Sequence, residues 1–111
     1  MSESSSQQQR KIVGWRAAIM LDPATPPMLG RVVEASGSSL IILADQEIRA
    51  GTVCRLFVDL PSAGGNEKRY LDCKLKITTA TLMGQISRFK LIGQIVDLPD
   101  SQRELLNRAL S

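Results

Sequence analysis

The chain has 111 residues, 43% of them hydrophobic, with 14 Lys+Arg against 11 Asp+Glu for a formal charge of +3, and it has no histidine. That length holds one compact domain, able to remove about 65% of its unfolded surface from water without a metal or a disulfide. The missing histidine excludes Ser-His and Cys-His nucleophile pairs and histidine-bearing metal sites, and the charge is too mild for the strongly basic face of a dedicated nucleic-acid binder.

Residues 1–9 are Ser, Gln, Met and one Glu. With no apolar anchor to offset their ordering entropy, they are expected to form a flexible tail ahead of a domain over 10–111. From Ile12 to Leu21 the odd positions Val13, Trp15, Ala17, Ile19 and Leu21 alternate with Gly14, Arg16 and Ala18, the period of a half-buried strand. Asp22-Pro-Ala-Thr-Pro-Pro-Met ends it, since proline cannot donate to a ladder.

Gly30–Val33 and Leu40–Ala44 are predicted as two strands joined by the tight turn Glu34-Ala-Ser-Gly-Ser-Ser. Thr52–Leu60 is the next, with Cys54, Leu56, Val58 and Leu60 facing inward. Pro61 to Asn66 is predicted as an exposed loop. A strand from Arg69 to about Thr79 places Leu71, Cys73, Leu75 and Ile77 inside and Asp72, Lys74 and Lys76 outside. Gly84 turns the chain into a sixth strand over Ile86–Asp97, with Phe89, Leu91, Gly93 and Ile95 on one face.

A short helix closes the chain, signalled by a capping box Ser101-x-x-Glu104 and a stripe of Leu105, Leu106, Ala109 and Leu110. So short a helix needs the sheet for support. Six hairpin-linked strands and one helix predict an all-β fold, a six-stranded antiparallel barrel with a C-terminal α-helix.

Cys54 and Cys73, 19 positions apart and without a CxxC, read as reduced core thiols. No apolar run approaches the ~18 residues that span a bilayer, and the N-terminus lacks the apolar stretch of a leader. The chain is therefore expected in the cytoplasm, without membrane insertion. No catalytic constellation and no metal site can be read from it, so a non-enzymatic role is expected.

Three features could bind a ligand. Arg10, Lys11 and Arg16 lie at the entry to the first strand, where a forked guanidinium and a point-charge ammonium can meet phosphate oxygens, or serve only as a solvated strand start. The turn bearing Glu34, Ser36 and Ser39 offers a carboxylate for the paired donors of a guanine edge and hydroxyls for phosphate or base, or is ordinary turn chemistry. Lys74, Lys76, Arg88 and Lys90 form a positive outer face without interleaved aromatics, which fits a solvated sheet better than a nucleic-acid polymer.

The order and spacing of the first two features resemble the PilZ domain, the bacterial receptor family for cyclic di-GMP, and the resemblance runs over residues 10–111. Gly30-Arg-Val-Val-Glu-Ala-Ser-Gly-Ser-Ser-Leu-Ile-Ile looks like the family's strand, [D/N]-x-S-x-x-G motif and following strand. Ala50-Gly51 and the strand after it, and Leu91-Ile-Gly93-Gln-Ile-Val-Asp97 before the helix, are similar to its later segments. The resemblance implies cyclic di-GMP as ligand, with no cofactor, held by Arg10, Lys11, Arg16, Glu34, Ser36 and Ser39, and a protein partner for the output.

The departures fall at the ligand positions. Arg10 fits the second arginine of the family's R-x-x-x-R segment, while the position of the first is Ser6. Glu34 stands for Asp or Asn, and Ser39 for Gly, where a left-handed backbone would cost serine on the order of 1 kcal/mol. The alternative is a degenerate PilZ domain that binds no nucleotide and docks on a protein partner.

Overall fold

A computed structural model of the chain describes residues 9–61 and 69–111. The predicted tail and the loop after Pro61 therefore lie, apart from Gln9 and Pro61, outside the described residues. Six antiparallel strands, β1 (Lys11–Met20), β2 (Met28–Ala35), β3 (Ser39–Ala44), β4 (Val53–Leu60), β5 (Arg69–Met83) and β6 (Arg88–Asp97), are followed by one helix, α1 (Asp100–Leu110). They close a barrel in the order β1-β2-β3-β6-β5-β4, with β4 returning to β1 through Ala17↔Val58 and Ile19↔Leu56.

The period-two pattern decides which side chains fill the barrel. Trp15, Ala17 and Ile19 of β1, Leu40, Ile42 and Ala44 of β3, and Cys54, Leu56, Val58 and Leu60 of β4 are buried together with Leu71, Cys73, Leu75 and Ile77 of β5. Leu91 of β6 is fully buried as well, and Phe89 and Ile95 pack against the same core. Leu21 lies just past the end of β1 and is exposed.

Two strands are longer than their sequence signals. β2 extends from Met28 to Ala35 although Val32 and Ala35, three apart, both face inward. Val33 is the extra residue, since Val32 pairs with Ile42 and Glu34 with Ile41. β5 runs on to Met83 past a bulge at Thr78, where Ile77 pairs with Gly93 and Thr79 with Ile92. A bulge breaks the alternation without ending the ladder, so periodicity undercounts the strand.

The helix forms without the predicted capping box. Pro99 is its N-cap residue and no side chain caps it; Ser101 already lies inside the first turn. Asp100 in the first turn and Arg108 in the last suit the helix dipole. The stripe is as expected: Leu106 is fully buried in the barrel core, with Leu105, Ala109 and Leu110 packed around it. Burying such a leucine is worth roughly 1.5–3 kcal/mol, which a helix this short needs in order to persist.

Three polar contacts place α1 across one end of the barrel. Gln102 Oε1 accepts from the Asp72 N–H of β5 at 2.8 Å, Arg103 Nη1 donates to the Gly37 carbonyl in the β2–β3 turn at 3.0 Å, and Lys11 Nζ of β1 donates to the Leu110 carbonyl. Arg10, Ser36 and Ser39 also collect at this end.

Candidate functional site

The β2–β3 turn is built around one hydroxyl. Ser36 Oγ accepts from the backbone N–H of Ser38 at 3.2 Å and of Ser39 at 3.1 Å, while the Ser36 N–H donates to the Ser39 carbonyl at 2.9 Å. Serine in this position closes a tight turn that alanine would leave with unmet donors. Both serines are buried, each 4% exposed, and their hydroxyls lie 3.2 Å apart. The turn is anchored from β6 by the Ile95 N–H on the Ser38 carbonyl at 2.9 Å.

Arg10 reaches this turn from the start of the described chain. Its Nε donates to Ser39 Oγ at 2.9 Å, across 29 positions of sequence. Glu34 is half-buried on the outer face between Ile12 of β1 and Ile41 of β3, its register partners. Arg10, Glu34, Ser36 and Ser39 are thus brought to one end of the β1–β2–β3 surface.

The other two predicted residues go elsewhere. Lys11 follows the alternation to the opposite side of β1 and meets the C-terminus of α1. Arg16 pairs directly with Arg31. Arg31 is three residues along β2 from Glu34, about 10 Å at the strand rise.

Ser39 carries no backbone strain. It opens the extended strand β3, and among the described residues the non-glycine with positive φ is Ser87 (φ 54). The left-handed penalty anticipated for serine at this position does not arise. What serine changes is chemistry: its hydroxyl fills space that glycine would leave open, and it engages Arg10.

Two arginines escaped the sequence reading. Arg103 touches the turn from α1, 66 positions from Gly37, and no local pattern announces a contact of that span. Arg31 sits on the exposed side of β2, where only the strand register reveals that Arg16 faces it. The predicted basic face of Lys74, Lys76, Arg88 and Lys90 does not form one cluster. Lys76 pairs with Gln94 and Lys90 with Thr81 on either side of the Thr78 bulge, and Arg88 Nε lies 3.7 Å from Asp45 Oδ1.

Solved structures share this architecture. The inhibitor of motility MotI/DgrA of Bacillus subtilis superposes with a TM-score of 0.74 at 13% identity, over 90% of this chain and 47% of that one. The PilZ domain of YcgR from Escherichia coli, solved with c-di-GMP, superposes with a TM-score of 0.69 at 10% identity, over 92% of this chain and 86% of that domain. The fold is PilZ-like. The chain spans about half the length of the Bacillus protein. No family model and no curated protein matches the sequence.

Within the PilZ-like barrel both thiols belong to the core. Cys54 and Cys73 are free and buried, on inward positions of the paired strands β4 and β5. Burial, with smaller contributions from Asp72 and Cys54, pushes the Cys73 thiol up to about 12, and burial raises Cys54 as well. Such thiols are poor nucleophiles. Among the described residues no group of three or more Cys, Asp or Glu could hold a metal ion, and no helix is long and apolar enough to cross a membrane.

Proposed function

We propose that the chain is a PilZ-type receptor for cyclic di-GMP that passes ligand occupancy to a protein partner. The observation that carries this reading is the Arg10–Ser39 contact. It puts a forked cation from the entry segment onto the turn whose residues resemble the family's ligand motif. In this reading Arg10 exchanges the Ser39 hydroxyl for a phosphate oxygen or the acceptor edge of a guanine, a charge-assisted bond about twice as strong as a neutral one. Glu34 accepts from the guanine donors, and Ser36 keeps the turn in shape.

Occupancy has a route to the output. The same turn holds α1 through the Gly37 carbonyl, and β1 holds the end of α1 through Lys11. A ligand that draws Arg10 off the turn therefore acts on a segment to which the helix is tied, and the helix and its flanks are the surface offered to a partner.

The second reading, a domain that docks on its partner without nucleotide, is favoured by the closed hydrogen bonding of the turn. Ser36 and Ser39 already satisfy each other, the backbone and Arg10. Calorimetric titration with cyclic di-GMP separates the two. Saturable binding that Arg10→Ala weakens by about 10-fold or more supports the receptor, and no heat at high ligand concentration supports docking alone.

A further inference from the structure

The outer face of β1–β2 carries an arrangement that the reading above leaves unused. Arg16 and Arg31 are directly opposite each other in the ladder, and both are exposed. Like charges placed so repel and weaken a strand pair. Neither has an ion-pair partner within 4.0 Å among the described residues, whereas Arg55, Arg88 and Arg108 each have an acidic one. The same rung continues through Leu43 of β3 to Lys90 of β6, so three cations share one row around the barrel.

Arg31 also lies against β1. Its guanidinium turns its Nε–Nη2 edge toward Gly14, where a Cβ would stand 3.4 Å from Nη2, 3.7 Å from Nε and 3.9 Å from Cζ. Gly14 belongs to an irregularity of β1, where the ladder steps from Ile12↔Glu34 to Trp15↔Val32. A bulge re-aims the surface at such a point. The bare glycine backbone leaves the group a seat against β1: a Cβ would stand at ordinary van der Waals distance, and a bulkier side chain would crowd it.

We propose that Arg16 and Arg31 form an anion clamp for a phosphate group, on the side of the barrel below the β2–β3 turn. A phosphate presents two or more non-bridging oxygens on a tetrahedral centre and so accepts from two guanidinium forks at once, and a terminal phosphate also carries charge enough to balance both cations, which a carboxylate does not. Lys90 adds a point charge at the end of the row. The clamp does not depend on the cyclic di-GMP reading: its phosphate can belong to that dinucleotide or to another phosphorylated small molecule.

The test uses the full chain, with NMR of the arginine Nε–H groups and thermal melting, titrated with pyrophosphate against sodium chloride at matched ionic strength. Pyrophosphate is expected to shift Arg16 and Arg31 saturably and to raise the melting temperature. Arg31→Ala should weaken that binding by about 10-fold or more, and Gly14→Val, which keeps both arginines but takes the seat, should weaken it too. Shifts no different from those of chloride, or unchanged affinity in Arg31→Ala, would overturn the clamp. A parallel arm with cyclic di-GMP assigns the source: displacement of pyrophosphate from the two arginines gives the phosphate to the dinucleotide. Pyrophosphate binding that cyclic di-GMP does not disturb gives it to another ligand, and the clamp stands in both cases.

Discussion

Arg10 donates from Nε to the hydroxyl of Ser39 at 2.9 Å, so the entry segment and the β2–β3 turn are joined before any ligand arrives. The contact sets up a competition between an internal bond and a ligand bond for the same guanidinium. Ser39→Gly removes the internal competitor. Cyclic di-GMP should bind about 10-fold more tightly to this variant, since a hydrogen bond to a charged group is worth roughly 1.5–3 kcal/mol. Glycine in the strand costs about 0.5–1 kcal/mol of stability. Calorimetry and thermal melting read both effects, and equal affinity in the two proteins would show that Ser39 does not restrain Arg10.

Ser36 is the structural member of the turn. Ser36→Ala leaves the buried Ser39 N–H without its acceptor, which costs about 1–3 kcal/mol. Urea denaturation should show that loss in the midpoint with an unchanged slope. A loss of ligand binding without a loss of stability would instead make Ser36 a direct ligand contact.

Among the described residues two positions in the barrel wall have no room for a methyl group, Gly30, where a Cβ would lie 2.9 Å from the Leu43 carbonyl oxygen, and Gly93. A Cβ at Gly93 would lie 2.6 Å from both Cγ and Cδ2 of Leu75, which is itself fully buried and cannot swing away. Gly93→Ala should destabilise the domain by roughly 1–3 kcal/mol through overpacking. Leu75→Val in the same chain, which shortens the opposing side chain, should recover part of that loss; full additivity of the two changes would contradict direct contact.

The two thiols give a pH dependence with a definite sign. Burial lifts the folded Cys73 to about 12 from an ordinary value of 9.0, so the unfolded chain loses this proton first. The Cys73 contribution to stability is complete below about pH 9 and is lost as the pH rises from there towards 12, and the raised Cys54 acts in the same direction. Melting temperature should fall over that window in the wild type and less in Cys73→Ala, compared with its own value at pH 7. Labelling by a thiol reagent should be slow in the native state and fast in denaturant, and fast native labelling would contradict the inward placement of both cysteines.

The barrel was legible because its strands keep strict alternation where they matter most. Leu71, Cys73, Leu75 and Ile77 announce β5, and all four are inside. The pattern fails at Val33 and Thr78, where an extra residue shifts the phase while the ladder continues. The helix stripe was readable, but its capping signal was not decisive, because the N-cap position falls on Pro99, two residues before Ser101. At the candidate site, the resemblance to the PilZ motif singles out Arg10, Ser36 and Ser39, and these three are in hydrogen-bond contact. Lys11 is carried away by the parity of the strand, and Arg31 and Arg103 become visible only once register and helix docking are known.

The most direct measurement is a calorimetric titration of cyclic di-GMP into the wild-type chain and into Arg10→Ala, at one protein concentration and salt. The receptor account predicts saturable binding to the wild type, weakened by about 10-fold or more in the variant, with melting temperatures of the free proteins within a few degrees because Arg10 lies outside the core. The absence of binding heat in the wild type at high ligand concentration, or equal affinity in the two proteins, would contradict it.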